Sequence, residues 1–336
     1  MRIALAGVGA AASNGHLPAL LWLESEGRVK VVGACDPDEH RRVAARRLFP
    51  GIPTFALASE MLQSVNSELT VIAAHPAVHA DLAADAANHH QHILCEKPAG
   101  GTLEQLSQFA AIRERHPDRA LIASYQYRFS PTWIALTPFL RAAARSNEPV
   151  YMSVEVERCA TDPRAMSSWR DDPAMGGGLA DHAVHFLALA RELGGSLIVE
   201  TASRDYDHQR RERVTARVSV GLNPVDLSVS YGAAARSTTV KLRAGDLVVR
   251  WRDRELRVDQ GGRRGHPLVV RALSDKSYVD ALYCPMYLDL LAGVRNPEWC
   301  RDRAEELFEV GKCLIGLLAD AESASQFSPE LAALAA

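Results

Sequence analysis

The stretch "RIALAGVGAAA", residues 2–12, joins a short apolar run to a glycine-rich turn. An apolar run that is bounded by glycine is typical of a buried strand. Gly7 and Gly9 occupy the first two places of the pattern G-x-G-x-x-G/A, and Ala12 occupies the third. In this pattern the first glycine permits a tight turn, and the second lets another group approach the backbone closely. The stretch therefore predicts a strand that leads through a tight turn into a helix.

The alternation of an apolar run with an amphipathic stretch continues to residue 125. Further apolar runs lie at 29–36, 69–74, 92–96 and 120–125, and the segments between them carry apolar residues at helical spacing. Strands that alternate with helices predict a parallel sheet with helices on both faces. The sequence thus predicts an α/β protein whose first domain, residues 1–125, is a doubly wound parallel sheet.

The pattern changes after about residue 145. Short segments of alternating apolar and polar residues are joined there by turns such as "GLNPVD" (221–226) and "RAGD" (243–246). They predict a second domain of α+β type, residues 126–325, with a mostly antiparallel, open sheet. Two late amphipathic helices, at roughly 278–294 and 301–324, are expected to pack on one of the two domains. A length of 336 residues also favours two domains over one.

Bulk composition narrows the function. The net charge is −3 and the pI is about 6.5, so the chain lacks the basic footprint of a nucleic-acid binder and a small-molecule partner is expected. Six cysteines are scattered without a C-x-x-C pair, which predicts reduced thiols and neither disulfides nor a metal site. No signal peptide and no apolar run of membrane-spanning length is evident. The sequence predicts a soluble, cytoplasmic protein without membrane contacts.

The glycine turn gains meaning from Asp36, which ends the second predicted strand. Gly7 and Gly9 would let a pyrophosphate sit at the N-terminus of the following helix, and an acidic residue at position 36 can hydrogen-bond both ribose hydroxyls of NAD. The alternative is that Asp36 opens the turn "DPDE" and caps the next helix. Together these features predict NAD binding. NADP stays possible because Arg41 or Arg42 can hold a phosphate.

A lysine follows the strand at 92–96, in "ILCEKPAG" (93–100). The chain has five lysines among 38 basic residues, so Lys97 suggests a need for a compact ammonium that a guanidinium does not meet. Glu96, Lys97 and Pro98 lie at the carboxyl edge of the sheet, where open α/β sheets bind ligands. Pro98 is a candidate for a cis bond that aims the lysine back across the crevice. The alternative is a surface turn with a solvated lysine.

A second candidate cluster lies in "MGGGLADHAVHFLALARELGG", residues 175–195. Asp181 and His185 are four residues apart and share one face of a predicted helix, whereas His182 points elsewhere. The glycine run before the helix permits a close approach, and Gly194 with Gly195 would end it. The alternative is a histidine that only packs in the core.

With these motifs in place, the chain resembles the glucose-fructose oxidoreductase, inositol dehydrogenase and rhizopine catabolism (Gfo/Idh/MocA) family of NAD(P)-dependent oxidoreductases. The resemblance covers nearly the whole chain, and its most specific pairing is "EKP" followed by the D-x-x-x-H helix. The remaining matching stretches are "GVGAAASNGHLPAL", "CDPD", "HPAVHADLAADAANHHQHILCEKPAGGTLEQ" and "YQYRFSP".

The resemblance implies a Rossmann-type first domain and assigns roles to residues. Lys97 contacts the reacting oxygen, while Asp181 and His185 face the substrate, the histidine as acid/base. The cofactor site comprises Gly7, Gly9, Ala10, Ala11, Asp36, Arg41, His75, Pro76, His79, Glu96 and Lys97. Further residues expected to line the substrate pocket, with packing and surface charge as the alternative, are Tyr127, Arg128, Trp169 and Arg170. Family members usually form dimers or tetramers through the open face of the second sheet, so a homodimer or homotetramer is expected.

Several positions depart from the family pattern. Glycine is common where Ala12 and Ala183 stand, threonine is common where His75 stands, and the glycine triplet comes one residue later relative to Asp181. His75 either lies near the nicotinamide ribose or fills space at a strand end.

The predicted chemistry is hydride transfer between the cofactor and a hydroxyl or keto carbon of a sugar, a sugar derivative or a cyclitol. His185 would accept the hydroxyl proton, Lys97 would stabilise the developing alkoxide, and Asp181 would bind a neighbouring hydroxyl or orient the histidine. One alternative is a glycoside hydrolase that retains its NAD. The other is a non-enzymatic sensor of NAD(H) and a metabolite, which would have no use for a complete proton relay.

Overall fold

A computed structural model describes residues 1–145, 148–159, 177, 179–206, 212–252, 255–264, 268–269 and 279–326. The chain divides into two compact units. The first unit comprises Met1–Ser130 and Leu273–Gly311, and the second comprises Pro131–Ala272 and Lys312–Ala336. No helix in the described part of the chain combines the length and the apolar character needed to span a membrane.

Nine α-helices are present among the described residues. They are α1 Leu17–Ser25, α2 Glu39–Leu48, α3 Ala58–Ser64, α4 His79–Asn88, α5 Leu103–Arg115, α6 Pro131–Ala144, α7 Val184–Ala190, α8 Cys284–Gly293 and α9 Pro297–Gln326. Wider π-helical turns lead into three of them, namely Ala12–His16 before α1, Leu179–Ala183 before α7 and Val279–Tyr283 before α8. Short 3₁₀ turns lie at Pro76–Val78, Gln126–Phe129 and Arg191–Leu193.

The first unit is built on a six-stranded parallel sheet, which confirms the α/β prediction. Its strands are β1 Arg2–Ala6, β2 Lys30–Cys35, β3 Thr54–Phe55, β4 Leu69–Ile72, β5 His92–Cys95 and β6 Leu121–Ala123, in the order β3-β2-β1-β4-β5-β6. All four residues of β4 are buried, as expected of a strand that is covered on both faces. The strand order reverses beside β1, and the carboxyl ends next to such a reversal form the crevice in which these sheets bind ligands.

The late helix α8 belongs to the core of the first unit. Residues 281–284, Met286, Tyr287 and Leu290 are buried in the same apolar cluster as Leu17 and Leu20 of α1. The ring of Tyr283 lies against Gly15, where an added Cβ atom would come within 2.3–2.6 Å of ring carbons. The absence of a side chain at Gly15 therefore lets α8 approach the start of α1.

The second unit contains an eight-stranded sheet in which only β7 and β10 pair in parallel, as the prediction of a mostly antiparallel sheet requires. Its strands are β7 Tyr151–Cys159, β8 Leu197–Tyr206, β9 Glu212–Val220, β10 Asn223–Ala233, β11 Ser237–Ala244, β12 Leu247–Arg252, β13 Glu255–Gln260 and β14 Leu268–Val269, in the order β14-β13-β12-β11-β7-β10-β9-β8.

The two faces of this sheet differ. Trp133 of α6 packs edge-on against Phe186 of α7 and lies 5.6 Å from the ring of Trp251 on β12, so the helices cover one face. The other face, which we call the polar sheet face, surrounds a shallow hollow of about 750 Å³. Side chains that line it are Ser153, Glu155, Glu157, Thr215, Arg217, Asp226 and Ser228.

Candidate active site

The glycine turn after β1 has the geometry that the sequence predicts. Gly7 adopts φ +96°, and an added Cβ atom would lie 2.6–2.7 Å from backbone atoms of Ala73 and Ala74, so only glycine fits. A Cβ atom added at Gly9 would have one neighbour within 4 Å, the Arg41 guanidinium at 3.6 Å. The Ser13 N–H donates to the Gly9 carbonyl at 2.8 Å. Helical hydrogen bonding therefore starts at Gly9, and the turn offers an open N-terminus that suits an anion.

Ala10 and Ala11 form the first residues of this helical segment. Ala10 is exposed and Ala11 is half-buried, so their backbone N–H groups lie near the surface. Ala12, which replaces the glycine of the pattern, is fully buried. The methyl group of Ala12 thus packs in the core, and the accessible part of the turn is unaltered.

Asp36 fastens the glycine turn to β2. Its side chain is buried, Oδ2 accepts the Val8 N–H at 2.8 Å, and Oδ1 accepts the Asp38 N–H at 2.9 Å. The cap of α2 is Asp38, whose side chain accepts the His40 N–H at 2.8 Å, so the alternative that Asp36 is the cap is wrong. A carboxylate has about four lone-pair positions, so Asp36 can still accept from a ribose hydroxyl.

The two neighbouring arginines, Arg41 and Arg42, differ in how many contacts they make with the protein. Arg42 donates to the carbonyl oxygens of Asp36 and Pro37 at 2.6 and 2.9 Å and also pairs with Glu39. The Arg41 side chain is 53% exposed, and its nearest contact to Asp36 is 3.6 Å. Arg41 is therefore the arginine whose charge lies over the glycine turn and faces solvent.

The loop after β4 holds three of the predicted cofactor residues. His75 is exposed, and its Nδ1 accepts the Ala77 N–H at 3.2 Å at the start of the turn that Pro76 opens. His79 is fully buried, with its ring nitrogens 3.0 Å from the Pro98 carbonyl oxygen and 3.1 Å from that of Ala74. Because the His79 ring has no exposed surface, it does not reach a ligand. Its contacts with the Pro98 and Ala74 carbonyl oxygens instead link the loops after β5 and β4. Burial lowers the pKa of His79.

Lys97 follows β5 and is buried, with 8% of its surface exposed. The alternative of a solvated surface lysine is therefore wrong. The bond between Lys97 and Pro98 is cis, as the sequence suggested. The Lys97 N–H donates to Oε2 of Glu96 at 3.2 Å.

Glu96 is the centre of a buried polar network that the sequence interpretation missed. Burial alone would raise the pKa of Glu96, but hydrogen bonding and charge from His16, the charge of Lys97 and a hydrogen bond from Ser124 bring it down to about 2. The sequence did contain a pointer to His16, because this residue lies in the same stretch, "GVGAAASNGHLPAL", as the glycine turn.

The remaining candidates from the first unit lie in the 3₁₀ turn Gln126–Phe129. Tyr127 is half-buried and packs against the core. Arg128 pairs with the buried Glu306 of α9 through two contacts of 3.2 and 2.5 Å, so a carboxylate of the protein already balances its charge. This favours packing over substrate binding for Arg128. Trp169 and Arg170 lie outside the described residues.

In the second unit, Asp181, His182 and His185 are all buried. His182 Nε2 lies 3.0 Å from Asp181 Oδ2, and the guanidinium of Arg158 on β7 contacts the His182 ring at 2.6 Å. The expectation that His182 points away from Asp181 is therefore wrong. The physical reason is that residues 179–183 form a π-helical turn, which holds more residues per turn than an α-helix, so that successive side chains lie closer together around the axis.

The glycines that flank this segment act as the sequence suggested where they are described. Gly177 adopts φ +50°, and an added Cβ atom would lie 2.6 Å from Glu212 Oε1. After α7 and its 3₁₀ turn, Gly194 and Gly195 adopt φ +76° and +121° and end the helical segment. Gly176 and Gly178 lie outside the described residues.

Comparison with known proteins adds to this geometry. Residues 1–124 match GFO_IDH_MocA, the oxidoreductase family with an NAD-binding Rossmann fold. Residues 1–124 therefore carry the NAD-binding domain of the Gfo/Idh/MocA family. The rhizopine catabolism protein MocA of Rhizobium meliloti is 33% identical over 35% of the chain and 37% of its own length. Glucose-6-phosphate 3-dehydrogenase of Bacillus subtilis is 26% identical over 55% of the chain and 51% of its own length.

A solved dehydrogenase from Chromobacterium violaceum shares the fold of this chain. Its TM-score is 0.81 at 18% identity, and the match covers 99% of this chain and 98% of that one. The alignments with the two curated relatives span about half of those proteins or less. The fold of the chain and the family of its NAD-binding domain are therefore established.

Proposed function

We propose that the protein is an NAD(P)-dependent oxidoreductase that transfers hydride between the nicotinamide and a hydroxyl or keto carbon of a sugar, a sugar derivative or a cyclitol. The observation that carries this proposal is that the glycine turn after β1 and the buried Lys97 after β5 lie at the carboxyl edge of one parallel sheet. When bound, the nicotinamide supplies the hydride acceptor or donor.

The residues of the first unit fit such a cofactor. The open backbone around Gly9 and the start of the helix suit a pyrophosphate. Asp36 is an acceptor for the adenosine ribose, which favours NAD, and the exposed Arg41 gives NADP a partner for its 2′-phosphate. His75 and Pro76 lie at the end of β4, beside β1 in the same sheet.

Lys97, Asp181 and His185 are proposed to act on the substrate. Oxidation of a carbinol removes a hydride from carbon and a proton from oxygen, and neither half is easy alone. The Lys97 ammonium stabilises the developing alkoxide, because the attraction between opposite charges is stronger in a buried site than in water. His185 accepts the proton, and Asp181 binds a neighbouring hydroxyl or orients the histidine. In the reductive direction the proton returns from His185.

The substrate class follows from the family and from the relatives. MocA is named for rhizopine catabolism, and the Bacillus subtilis relative is named for a sugar phosphate. A site with an acid, a histidine and a lysine suits substrates with vicinal hydroxyls, since each side chain can address a different oxygen.

The deciding experiment is nicotinamide absorbance with NAD or NADP and a panel of sugars, sugar phosphates and cyclitols, with the matching ketones run as reductions. Stoichiometric change of the cofactor with any member supports the proposal. A flat trace with cofactor retained through purification would instead indicate an NAD-retaining hydrolase. A flat trace with exchangeable cofactor would indicate a sensor or a substrate outside the panel.

We also propose that two copies of the chain pair through the polar sheet face. The Arg217 guanidinium and the Asp226 carboxylate meet there at 2.6 and 2.9 Å, so the face carries both signs of charge, as a self-complementary surface requires. Ser228 lies between Glu155 and Thr215 in the strand register. Light scattering should give a multiple of 36.6 kDa for the wild type and a smaller assembly for Ser228→Arg. A monomeric wild type would contradict this part.

A further inference from the structure

The oxygen Oε1 of Glu96 is a buried acceptor with three donors. His16 Nε2 lies 3.0 Å from Oε1, Ser124 Oγ lies 3.0 Å from it, and Tyr283 OH lies 3.3 Å from it. The second oxygen, Oε2, accepts the Lys97 N–H. A buried carboxylate is expensive unless it is paired and hydrogen-bonded, and here both oxygens are engaged. Glu96 is therefore held as an anion immediately behind Lys97.

The proton on His16 Nε2 follows from this arrangement. An ionised carboxylate only accepts, so His16 Nε2 carries the proton that points to Glu96. His16 Nδ1 lies 2.7 Å from Tyr287 OH, and the His16 ring is fully buried. Burial, the charge of Glu96 and Cys284 raise the pKa of Tyr287 well above its ordinary value, so the phenol keeps its proton. The contact with the Tyr287 hydroxyl thus fixes the orientation of the His16 ring.

The network joins three distant parts of the chain. His16 comes from the turn before α1, Glu96 follows β5, and Tyr287 lies on α8, and Gln126 adds a hydrogen bond of 3.0 Å to Tyr283 OH. The charged and titratable groups that face Glu96 are His16, Lys97, His79, Cys95, Tyr283 and Tyr287. Of these, Lys97 is the residue that the proposed reaction uses.

We propose that His16 is a positioning residue: held by Tyr287, it fixes the Glu96 carboxylate that anchors the backbone of Lys97 and balances its charge. This inference rests on the proposed role of Lys97 in the reaction. The physical reason is that a catalytic cation must be placed to within a fraction of an ångström of its productive position beside the developing oxyanion, and an anchored neighbour supplies that precision. His16 itself does not touch the reacting atoms.

The test compares His16→Leu with His16→Gln. Leucine cannot donate to Glu96, whereas the terminal amide of glutamine can replace the Nε2–H donor. The matched control is Thr70→Val, which removes a buried side-chain hydrogen bond to Gln91 on another part of the same sheet. All three variants are expected to lose some stability, but only His16→Leu releases Glu96.

One readout needs no turnover. Amide hydrogen exchange of Lys97 is compared with that of Glu96, whose N–H donates to the Ile72 carbonyl at 2.8 Å and reports the end of β5. In His16→Leu the ratio of the two rates should rise about tenfold, because the acceptor of the Lys97 N–H is no longer held. It should stay near the wild-type ratio in His16→Gln and in Thr70→Val.

The second readout is kinetic, with whichever substrate the panel identifies. His16→Leu should lower kcat about tenfold or more with little change in KM, and His16→Gln should recover most of the loss. An unchanged exchange ratio in His16→Leu, or equal behaviour of His16→Leu and Thr70→Val, would overturn the inference. If no substrate turns over, the proposed function fails, and the exchange ratio still decides the positioning role. Should His16→Leu not fold, Tyr287→Phe loses a single oxygen and must raise the same ratio.

Discussion

At the scale of single residues, the proposed reaction depends on one ammonium. Lys97→Ala should abolish turnover, with a loss of about 10²–10³ in kcat, because the developing alkoxide loses its charge partner. Cofactor affinity should change little, since the glycine turn and Asp36 are untouched. Lys97→Arg keeps the charge but places a larger, planar group there, and it should remain strongly impaired. Steady-state kinetics together with a cofactor titration check both results, and full activity of Lys97→Ala would remove the lysine from the mechanism.

We expect single side chains to decide between NAD and NADP as well. Arg41→Ala should weaken NADP use and leave NAD use nearly unchanged, because Arg41 is the exposed cation over the glycine turn whereas Arg42 is engaged by carbonyl oxygens. The matched control is Arg47→Ala, a similar change in the last turn of α2. The ratio of kcat/KM for the two cofactors is the measurement. A ratio that moves equally in both variants would show that general charge, and not Arg41, sets the preference.

At the scale of elements, the contact of α8 with the start of α1 depends on Gly15. Gly15→Ala should destabilise the protein by about 1–3 kcal/mol, because the new methyl group overlaps the Tyr283 ring, and the gain in helix propensity of about 1 kcal/mol does not offset the clash. Gly101→Ala is the control, since an added Cβ there has ordinary contacts of 3.7 and 3.9 Å. Urea unfolding measures both variants. Equal stability of the two would mean that α8 can move away without cost.

Elements were predicted well from the sequence where local pattern determines them. The runs at 29–36 and 92–96 became β2 and β5 with bounds shifted by one residue or so, because a buried parallel strand needs a continuous apolar run. The strand β3 was missed, since two residues carry no periodicity. The cap of α2 was left open between two uses of Asp36, and the structure gives it to Asp38.

The candidate site was predictable only where a motif is contiguous. The glycine turn and the cis bond of Lys97 follow from short patterns. The pairing of Arg128 with Glu306 joins residues 178 positions apart, and the contact of His16 with Glu96 joins residues 80 positions apart. Such pairs depend on how strands and helices pack, and no local spacing encodes that.

At the scale of the whole molecule, the buried His79 and the half-buried His92 couple stability to pH. His79 and His92 both have a lowered pKa, chiefly because burial disfavours the charged ring. A lowered folded-state pKa means that the unfolded chain binds protons more readily, so the free energy of unfolding falls as the pH drops below about 6.5, the ordinary histidine value. Glu96 contributes in the same sense but in a lower pH range. Its pKa of about 2 adds stability above about 4.5 that is lost only at lower pH.

The molecule should therefore lose stability between pH 8 and pH 5.5, and His79 should account for part of the loss. His79→Gln removes the titrating ring but keeps an N–H donor for the carbonyl oxygens of Ala74 or Pro98. The wild type should lose on the order of 1 kcal/mol more than the variant over this range, since each unit of pKa shift corresponds to about 1.4 kcal/mol. Urea midpoints at the two pH values are the measurement. If both proteins lose the same amount, the buried His79 ring is not a source of the pH dependence, and the loops after β4 and β5 tolerate its protonation.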